Sequence, residues 1–368
     1  MAWPLSKRLS QKMNKLDNLE EIANLDKGKI LESISALANQ IKDSWKGMKV
    51  IQVPENYREV SNIFVSGMGG SALGGRIIQS LLVSSLSVPL EIITEYKLPA
   101  SVNNKSLVIL SSYSGNTEEI LSAASDALSK NSLPFIIATG GKLSEFASKN
   151  NIPAFIFNPS ENPSGQPRMS LGYSITAILA ILNKLGYSNF EDKEVNDLIE
   201  FTEKLISQYG VRAPSDKNTA KLLADKVMGK IPVIISSSHL KGSAHAFKNQ
   251  LNENSKTFSV SFDIPELNHH LMEGLKNPPR VQDSLIFILF QSELYSKELI
   301  KRYEVTVKVL EQNEVPYEIY KLQAKDKLKE VFEILVLGSY VSFYLSILYG
   351  TDPAAIPWVD YFKNELAK

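Results

Sequence analysis

Short apolar runs alternate with helical patterns along most of the chain. The runs predict strands at residues 62–65, 90–93, 107–110, 134–138 and 153–156, and again at 231–235, 257–261, 285–290 and 317–320. Apolar positions repeat at helical spacing between them, as at residues 118–128, 171–185, 242–254, 296–311 and 328–349. Strands that alternate with helices predict parallel βαβ units in doubly wound sheets, so we expect an α/β fold.

The 368 residues are enough for two domains, each with its own core. We place a polar N-terminal helical arm at residues 1–57, a first domain at 58–195, a connection at 196–218 and a second domain at 219–368. Within the arm, apolar residues predict helices at 19–23 and 30–48. The arm is expected to pack on the body of the protein and carries no candidate chemistry.

The N-terminus and the longest apolar stretch do not predict a secreted or membrane protein. Residues 1–8 lack the apolar run and cleavage site of a signal peptide. Residues 334–350 carry no charge, but they contain glycine and serine and fall short of the roughly 20 apolar residues of a span. We therefore expect a buried core helix there, and no contact with a membrane.

A hydroxyl-rich turn follows the predicted strand at 107–110. Ser112, Ser114 and Thr117 lie within six residues of one another, and Gly115 can adopt a positive φ. The backbone N–H groups at a helix start carry partial positive charge, so such a turn can hold a phosphate without a lysine. An ordinary capped loop between strand and helix is the alternative interpretation.

A second turn of this kind lies upstream, after the predicted strand at 62–65. It reads GMGGSALGG from Gly67 and includes Gly69, Gly70 and Ser71. The spacing Gly67-x-Gly69-x-x-Ala72 also matches a dinucleotide fingerprint, with Glu95 ending the next strand. A pyrophosphate does not need the extra hydroxyls of the downstream turn, and this favours a phosphate site made by both turns.

These two turns resemble those of the sugar isomerase (SIS) domain family, in which they hold a sugar phosphate. Three further stretches are similar to the bifunctional phosphoglucose/phosphomannose isomerases: NQLNENSK from Asn249, PELNHH from Pro265, and DPAAIPWVDYFK from Asp352. The resemblance runs in unbroken order from about residue 60 to the C-terminus and does not cover the arm. It implies two SIS domains of flavodoxin-like fold and an isomerase of glycolysis and gluconeogenesis without a cofactor or metal.

The resemblance also implies roles for individual residues. Ser71, Ser112, Ser114 and Thr117 would contact the phosphate, with Gly69 and Gly70 also lining the substrate site. Glu253 would be the catalytic base, and Arg168 would lie near the reacting carbons. His270 and Lys363 would act in ring opening. The family further implies a homodimer, with the histidine contributed across the interface.

Taken alone, each of these side chains has a plainer interpretation. Glu253 continues a polar stripe with His245 and Asn249 on one face of a predicted helix, which solvent exposure would explain equally well. The pair His269 and His270, with two glutamates nearby, could also suggest a metal site, but two adjacent histidines are more often one structural and one exposed residue.

Two other candidates lie in segments where exposure is the default. Arg168 sits in a loop rich in glycine and proline, where arginines are usually exposed. Lys363 is five residues from the end of the chain, where fraying is common. The aromatic residues Trp358, Tyr361 and Phe362 indicate that this tail is packed down instead.

Composition narrows the possible partners. Forty basic and forty acidic side chains give a formal charge of zero, so no global field attracts nucleic acid or anionic lipid. The chain has no cysteine, which excludes a thiol nucleophile of the amidotransferase kind and fits a cytoplasmic protein. No nucleic-acid or membrane partner is therefore expected, and the resemblance implies a sugar phosphate as the partner.

One residue that is expected to affect substrate specificity differs from the family pattern. Ile356 stands where dual-specificity members have a threonine before the tail proline, and that threonine is associated with use of the mannose epimer. A glucose-6-phosphate isomerase with uncertain mannose-6-phosphate activity is the first hypothesis. A non-catalytic SIS sugar-phosphate sensor is the second, although the arm has neither a basic stripe nor a clear helix-turn-helix pattern.

Overall fold

The computed structural model describes residues 15–366 and Lys368, and these form two compact units. One unit comprises residues 36–203 with 239–243, and contains a five-stranded sheet. The other comprises residues 15–35, 204–238, 244–366 and 368, and contains a four-stranded sheet. We call them the five-stranded and four-stranded units. The domain boundaries expected from the sequence do not coincide with these limits and remain predictions.

All strands in both sheets run parallel. The five-stranded sheet has the order β2-β1-β3-β4-β5 and the four-stranded sheet the order β7-β6-β8-β9. The strands are β1 Asn62–Ser66, β2 Leu90–Ile93, β3 Ser106–Ser112, β4 Leu133–Ala138, β5 Ala154–Ile156, β6 Ile231–Ser236, β7 Val260–Asp263, β8 Leu285–Gln291 and β9 Tyr317–Lys321. The expected α/β fold with two doubly wound parallel sheets is confirmed.

Helices flank both sheets and connect successive strands. They are α1 Leu19–Leu25, α2 Ile30–Ser35, α3 Leu37–Lys49, α4 Gly70–Leu82, α5 Glu118–Ser129, α6 Gly141–Lys149, α7 Leu171–Lys184, α8 Asp192–Tyr209, α9 Thr219–Val227, α10 Lys241–Asn254, α11 Lys297–Gln312, α12 Lys327–Tyr349 and α13 Pro357–Leu366. In the five-stranded unit, α4 packs on α7 and α7 on α3. In the four-stranded unit, α12 packs on α9 and α2.

The strands are apolar because the sheets are covered by helices. Every residue of β3 is buried, and its neighbour β1 is buried from Ile63 onward. Gly75 on α4 comes so close to Val65 of β1 that an added Cβ would lie 2.7 Å from its side chain. This close approach brings the start of α4 to the carboxyl edge of the sheet, where the first glycine-rich turn lies.

The longest helix is the core of the four-stranded unit. α12 is long and apolar enough to cross a membrane by composition, but the apolar window is wholly buried within the fold. Its small residues let α10 approach, because Phe247 packs on Gly338. Two hydrogen bonds fix the pair, from Gln250 to Ser339 at 2.9 Å and from Asn254 to Ser342 at 3.0 Å. The expected core helix is confirmed.

The described part of the N-terminal arm is held by a buried lysine. The Lys221 ammonium donates to the Asp17 carboxylate at 2.7 Å and to the carbonyl oxygens of Val211 and Ala213, each at 2.9 Å. Burial alone would raise the pKa of Asp17, but hydrogen bonds from Lys221 and Ser215 outweigh it and lower that pKa. Residues 15–35 therefore pack on the four-stranded unit, whereas the expectations for residues 1–8 lie outside the described residues.

Two elements differ from their predictions. The helix expected at 30–48 is broken at Ala36, because α2 packs on α12 in one unit while α3 packs on α7 in the other. The strand expected at 257–261 begins only at Val260. The preceding residues instead close the end of α10, with the Thr257 N–H donating to the Leu251 carbonyl at 3.1 Å.

Candidate functional site

The turn after β1 is shaped by glycine. Gly69, which precedes α4, has a φ of 48°, a conformation that glycine adopts without a steric penalty. Ser71 follows in the first turn of α4, and its Oγ accepts a hydrogen bond from the backbone N–H of Tyr113 at 2.9 Å. Since Tyr113 belongs to the turn after β3, this bond joins the two hydroxyl-rich turns.

The turn after β3 is closed by its own hydroxyls. The Ser112 Oγ lies 2.8 Å from the Thr117 Oγ1 and accepts from the Gly115 N–H at 3.1 Å. Gly115 has a φ of 68°, and an added Cβ would fall 1.9 Å from the Gly140 carbonyl oxygen, so only glycine fits. Ser114 is exposed, and its Oγ accepts from the Asn116 N–H at 3.2 Å.

The helices that begin at these turns lack the usual side-chain caps. Gly69 before α4 has no side chain that could cap the helix. The Thr117 side chain before α5 makes no capping hydrogen bond to the first turn of that helix. Asn18, Asn218, Ser296 and Asp326 do cap their helices in this way. Uncapped N-termini with partial positive charge are suited to an anion.

The two turns also lie where ligands bind in open parallel sheets. β1 and β3 are neighbours in the sheet, and the chain leaves them toward β2 on one side and β4 on the other. Such a reversal of strand order opens a crevice at the carboxyl edge. The structure thus brings Ser71, Ser112, Ser114 and Thr117 together, with Gly69 and Gly70 in the same turns.

Arg168 reaches this site through its backbone. It lies on a short 3₁₀ helix, Pro167–Met169, and is 1% exposed, so the surface position typical of a loop arginine is excluded. A Cβ added to Gly70 would lie 2.7 Å from the Arg168 nitrogen and 2.8 Å from the Pro167 carbonyl carbon. Gly70 therefore allows the loop of Arg168 to pack on the first turn.

Several polar side chains near the site were not predicted from the sequence. Asn162 is buried, and its Nδ2 donates to the Tyr113 hydroxyl at 2.9 Å and to the Gln166 carbonyl at 3.0 Å. Burial raises the pKa of Tyr113, and the hydrogen bond from Asn162 offsets part of that rise. The Arg168 Nη1 donates to the Gln166 Oε1 at 2.7 Å. The breaker-rich composition of residues 162–167 indicated a loop but gave no sign of this network.

The other predicted residues belong to the four-stranded unit. Glu253 lies in the last turn of α10 and is partly buried, next to Asn254, which bonds to α12. Lys256 ties this helix end to the segment before the tail, because its Nζ donates to the carbonyl of Asn254 at 3.0 Å and to that of Asp352. Ile356, four residues after Asp352, is partly buried.

His270 is exposed at the edge of the four-stranded unit. Its Nε2 lies 2.8 Å from the Glu266 Oε2, and its ring meets Phe262 edge-on at 6.3 Å between centroids. The alternative of a metal site finds no support in residues 15–366 and Lys368, where no three carboxylate, imidazole or thiolate groups gather to hold an ion.

The C-terminal tail is not packed down as its aromatic residues suggested. Lys363 lies on α13, a helix with no buried residue, and Trp358 is 81% exposed. Tyr361 and Phe362 are also exposed. That prediction was wrong for the described chain, because these aromatic side chains are largely exposed and Trp358 meets Tyr361 of the same helix edge-on.

Comparisons with known proteins show which family the chain resembles. Residues 216–366 match the family described as bacterial phospho-glucose isomerase C-terminal SIS domain. A bifunctional phosphoglucose/phosphomannose isomerase of Caldicellulosiruptor bescii is 35% identical over 92% of this chain and 99% of that protein. One of Aquifex aeolicus is 32% identical over 83% of this chain and 90% of that protein.

The chain belongs to the bifunctional phosphoglucose/phosphomannose isomerase family. The resemblance stated from its motifs and the expectation of an isomerase are thereby confirmed. A solved structure of a hypothetical protein of Thermus thermophilus has the same fold, with a TM-score of 0.76 at 16% identity over 98% of this chain and 95% of that one. The roles of individual site residues remain predictions within this family.

The contact between Gly70 and Arg168 generates a stability prediction. Gly70→Ala places a methyl group against backbone atoms that cannot rotate away, and overpacking of this kind costs about 1–3 kcal/mol of unfolding free energy. Urea denaturation measures the loss. The matched control is Gly274→Ala, where the added Cβ meets nothing within 4 Å. Equal stability of the two variants would contradict the proposed close packing.

Proposed function

We propose that this protein interconverts glucose 6-phosphate and fructose 6-phosphate through a cis-enediol intermediate, with no metal required. The observation that carries the proposal is the pair of hydroxyl-lined turns at the carboxyl ends of β1 and β3, with two uncapped helix N-termini. Curated relatives named as phosphoglucose/phosphomannose isomerases support the choice of substrate.

Phosphate binding supplies the energy that positions the sugar. Ser71, Ser112, Ser114 and Thr117 offer hydroxyls, and the starts of α4 and α5 offer backbone N–H groups. The phosphate takes no part in the reaction, so its binding energy fixes carbons 1 and 2 relative to the catalytic groups. A substrate without the phosphate would lose this positioning and react slowly.

The proton transfer is assigned to Glu253. Its carboxylate takes the proton from carbon 2 of the open-chain aldose and returns it to carbon 1, while the hydroxyl proton on oxygen 2 passes to oxygen 1, which leaves the ketose. The negative charge that develops on the enediolate oxygens faces the Arg168 guanidinium, whose fixed cation stabilises it. A cation held in this way provides the stabilisation that a metal gives in other isomerases.

Ring opening is assigned to His270 and Lys363. The imidazole moves a proton between the ring oxygen and the hydroxyl on the anomeric carbon, and the ammonium supports the charge on the departing oxygen. We further propose a homodimer in which His270 serves the partner's site. The exposed apolar face of α13 and the exposure of His270 support this arrangement, and light scattering of the purified protein measures it.

We also propose that the protein is cytoplasmic and binds neither nucleic acid nor membranes. The absence of cysteine and the balanced charge of 40 basic and 40 acidic residues support this. Its reaction would then serve glycolysis and gluconeogenesis. Fractionation of cells that produce the protein is the measurement, and recovery in the membrane fraction would contradict the proposal.

The role of Glu253 is tested by replacing its carboxylate. With EDTA-treated protein and fructose 6-phosphate, we expect Glu253→Gln to lower kcat by about a hundred- to ten-thousandfold, the usual contribution of a general base. Affinity for inorganic phosphate should not change, because the phosphate turns are intact. The matched control is Glu304→Gln, which removes an exposed carboxylate of α11.

Two outcomes would overturn the proposal in different ways. Normal turnover by the Glu253→Gln protein would exclude Glu253 as the base. Tight binding of fructose 6-phosphate by the unaltered protein without any aldose product would instead support a sugar-phosphate sensor.

Epimer preference is expected to depend on Ile356. A threonine at this position would restore the hydroxyl found in dual-specificity members, so Ile356→Thr should raise the share of mannose 6-phosphate formed from fructose 6-phosphate. Chromatographic separation of the hexose 6-phosphates gives the product ratio. An unchanged ratio would show that the side chain at 356 does not set the preference, and Ile356→Val serves as the control for loss of volume alone.

A further inference from the structure

The backbone of Gln166 is fixed by hydrogen bonds and by the proline that follows it. Pro167 restricts Gln166 to an extended backbone, observed at φ −82° and ψ 125°. Its carbonyl accepts from the Asn162 Nδ2 at 3.0 Å and from the Met169 N–H at 2.9 Å. Its own N–H donates to the Ser164 Oγ at 3.3 Å. The backbone therefore fixes the direction of the Cα–Cβ bond of Gln166, from which its side chain extends.

That side chain contacts the guanidinium directly. The Arg168 Nη1 donates to the Gln166 Oε1 at 2.7 Å, a short bond. A guanidinium only donates, so the amide must present its oxygen. Arg168 is 1% exposed, so its partners rather than solvent determine where the guanidinium points.

The same network reaches the phosphate site. Asn162, which holds the Gln166 carbonyl, also donates to the Tyr113 hydroxyl at 2.9 Å. The Tyr113 backbone N–H in turn donates to the Ser71 Oγ at 2.9 Å. The position of Gln166 is thus tied to the turn that we expect to hold the phosphate, through two intervening side chains.

We propose that Gln166 is a positioning residue that aims the Arg168 guanidinium at the reacting carbons without itself adding a negative charge beside it. This inference rests on the proposed function. An amide oxygen and a carboxylate oxygen could both accept the Arg168 N–H at this place, but the carboxylate would add a negative charge beside the cation. A glutamine at this position therefore orients the guanidinium without weakening the field that stabilises the enediolate.

Two variants separate the effect of orienting the Arg168 guanidinium from the effect of adding a negative charge beside it. Gln166→Glu keeps an acceptor of the same length and adds a negative charge, whereas Gln166→Met keeps the length and removes the acceptor. The matched control is Gln312→Glu, an exposed amide at the end of α11. For each protein we would measure kcat and KM with fructose 6-phosphate, and the affinities for inorganic phosphate and for 5-phosphoarabinonate, whose carboxylate stands in for the enediolate.

We expect both variants to lose kcat with little change in KM, and Gln166→Glu to lose more, by about a hundredfold against about tenfold. Affinity for 5-phosphoarabinonate should fall about tenfold in Gln166→Glu and less in Gln166→Met. Affinity for inorganic phosphate should stay at the level of the unaltered protein. A purely structural role would not distinguish the two anions.

The inference is overturned if both variants match the control in kcat and in 5-phosphoarabinonate affinity. It is also overturned if phosphate affinity falls as far as 5-phosphoarabinonate affinity, since Gln166 would then support the loop rather than the guanidinium. Failure of the proposed function is seen separately, as an unaltered protein that forms no aldose. The binding measurements still decide the role of Gln166 in that case.

Discussion

The hydrogen bond from the Tyr113 N–H to the Ser71 Oγ is the constraint on which the candidate site depends. It joins two turns that come from different strands and lead into different helices, so neither turn can move without the other. The backbone of Arg168 packs on one of these turns at Gly70, and Asn162 reaches the other through the Tyr113 hydroxyl. The candidate anion-binding groups and the buried Arg168 are therefore held by one connected framework within the five-stranded unit.

The hydroxyl groups that follow the strands have different hydrogen-bond partners in the two sheets. In the five-stranded unit, Ser112 bonds to a neighbouring hydroxyl and to the backbone of its own turn. In the four-stranded unit, Ser292 follows β8 and donates to the buried carboxylate of Glu330 at 2.7 Å. Ser237 follows β6 and donates to the Ile264 carbonyl at 2.6 Å. In the second sheet these two hydroxyls therefore donate to a buried carboxylate and to a carbonyl of other segments, whereas Ser112 bonds within its own turn.

The sequence predicted the features that depend on residues close together in the chain. Apolar runs marked the buried strands, and glycine with clustered hydroxyls marked both turns, because each signal lies within a few residues. Arg168 was placed near the site by resemblance, while its burial could not be inferred, since that depends on packing against Gly70 nearly 100 residues earlier. Asn162 and Gln166 were missed for similar reasons. Asn162 bonds to Tyr113, which is distant in the sequence, and the bonds of Gln166 to Asn162 and Arg168 depend on a loop conformation that composition does not reveal.

The errors have physical causes as well. The predicted strand at 257–261 was displaced because Thr257 bonds back to α10, and the predicted helix at 30–48 was divided because its halves pack in separate units. The aromatic residues of α13 suggested packing, but aromatic content gives no information on which surface covers a helix. Burial in one chain therefore could not be deduced from Trp358, Tyr361 and Phe362.

The most direct test of the account is a crystal structure of the Glu253→Gln protein with fructose 6-phosphate bound. The account predicts phosphate oxygens within hydrogen-bond distance, about 3 Å, of the hydroxyls of Ser71, Ser112, Ser114 and Thr117. It also predicts that carbons 1 and 2 face the Arg168 guanidinium. A phosphate bound elsewhere, such as at the carboxyl edge of the four-stranded sheet, would contradict the account.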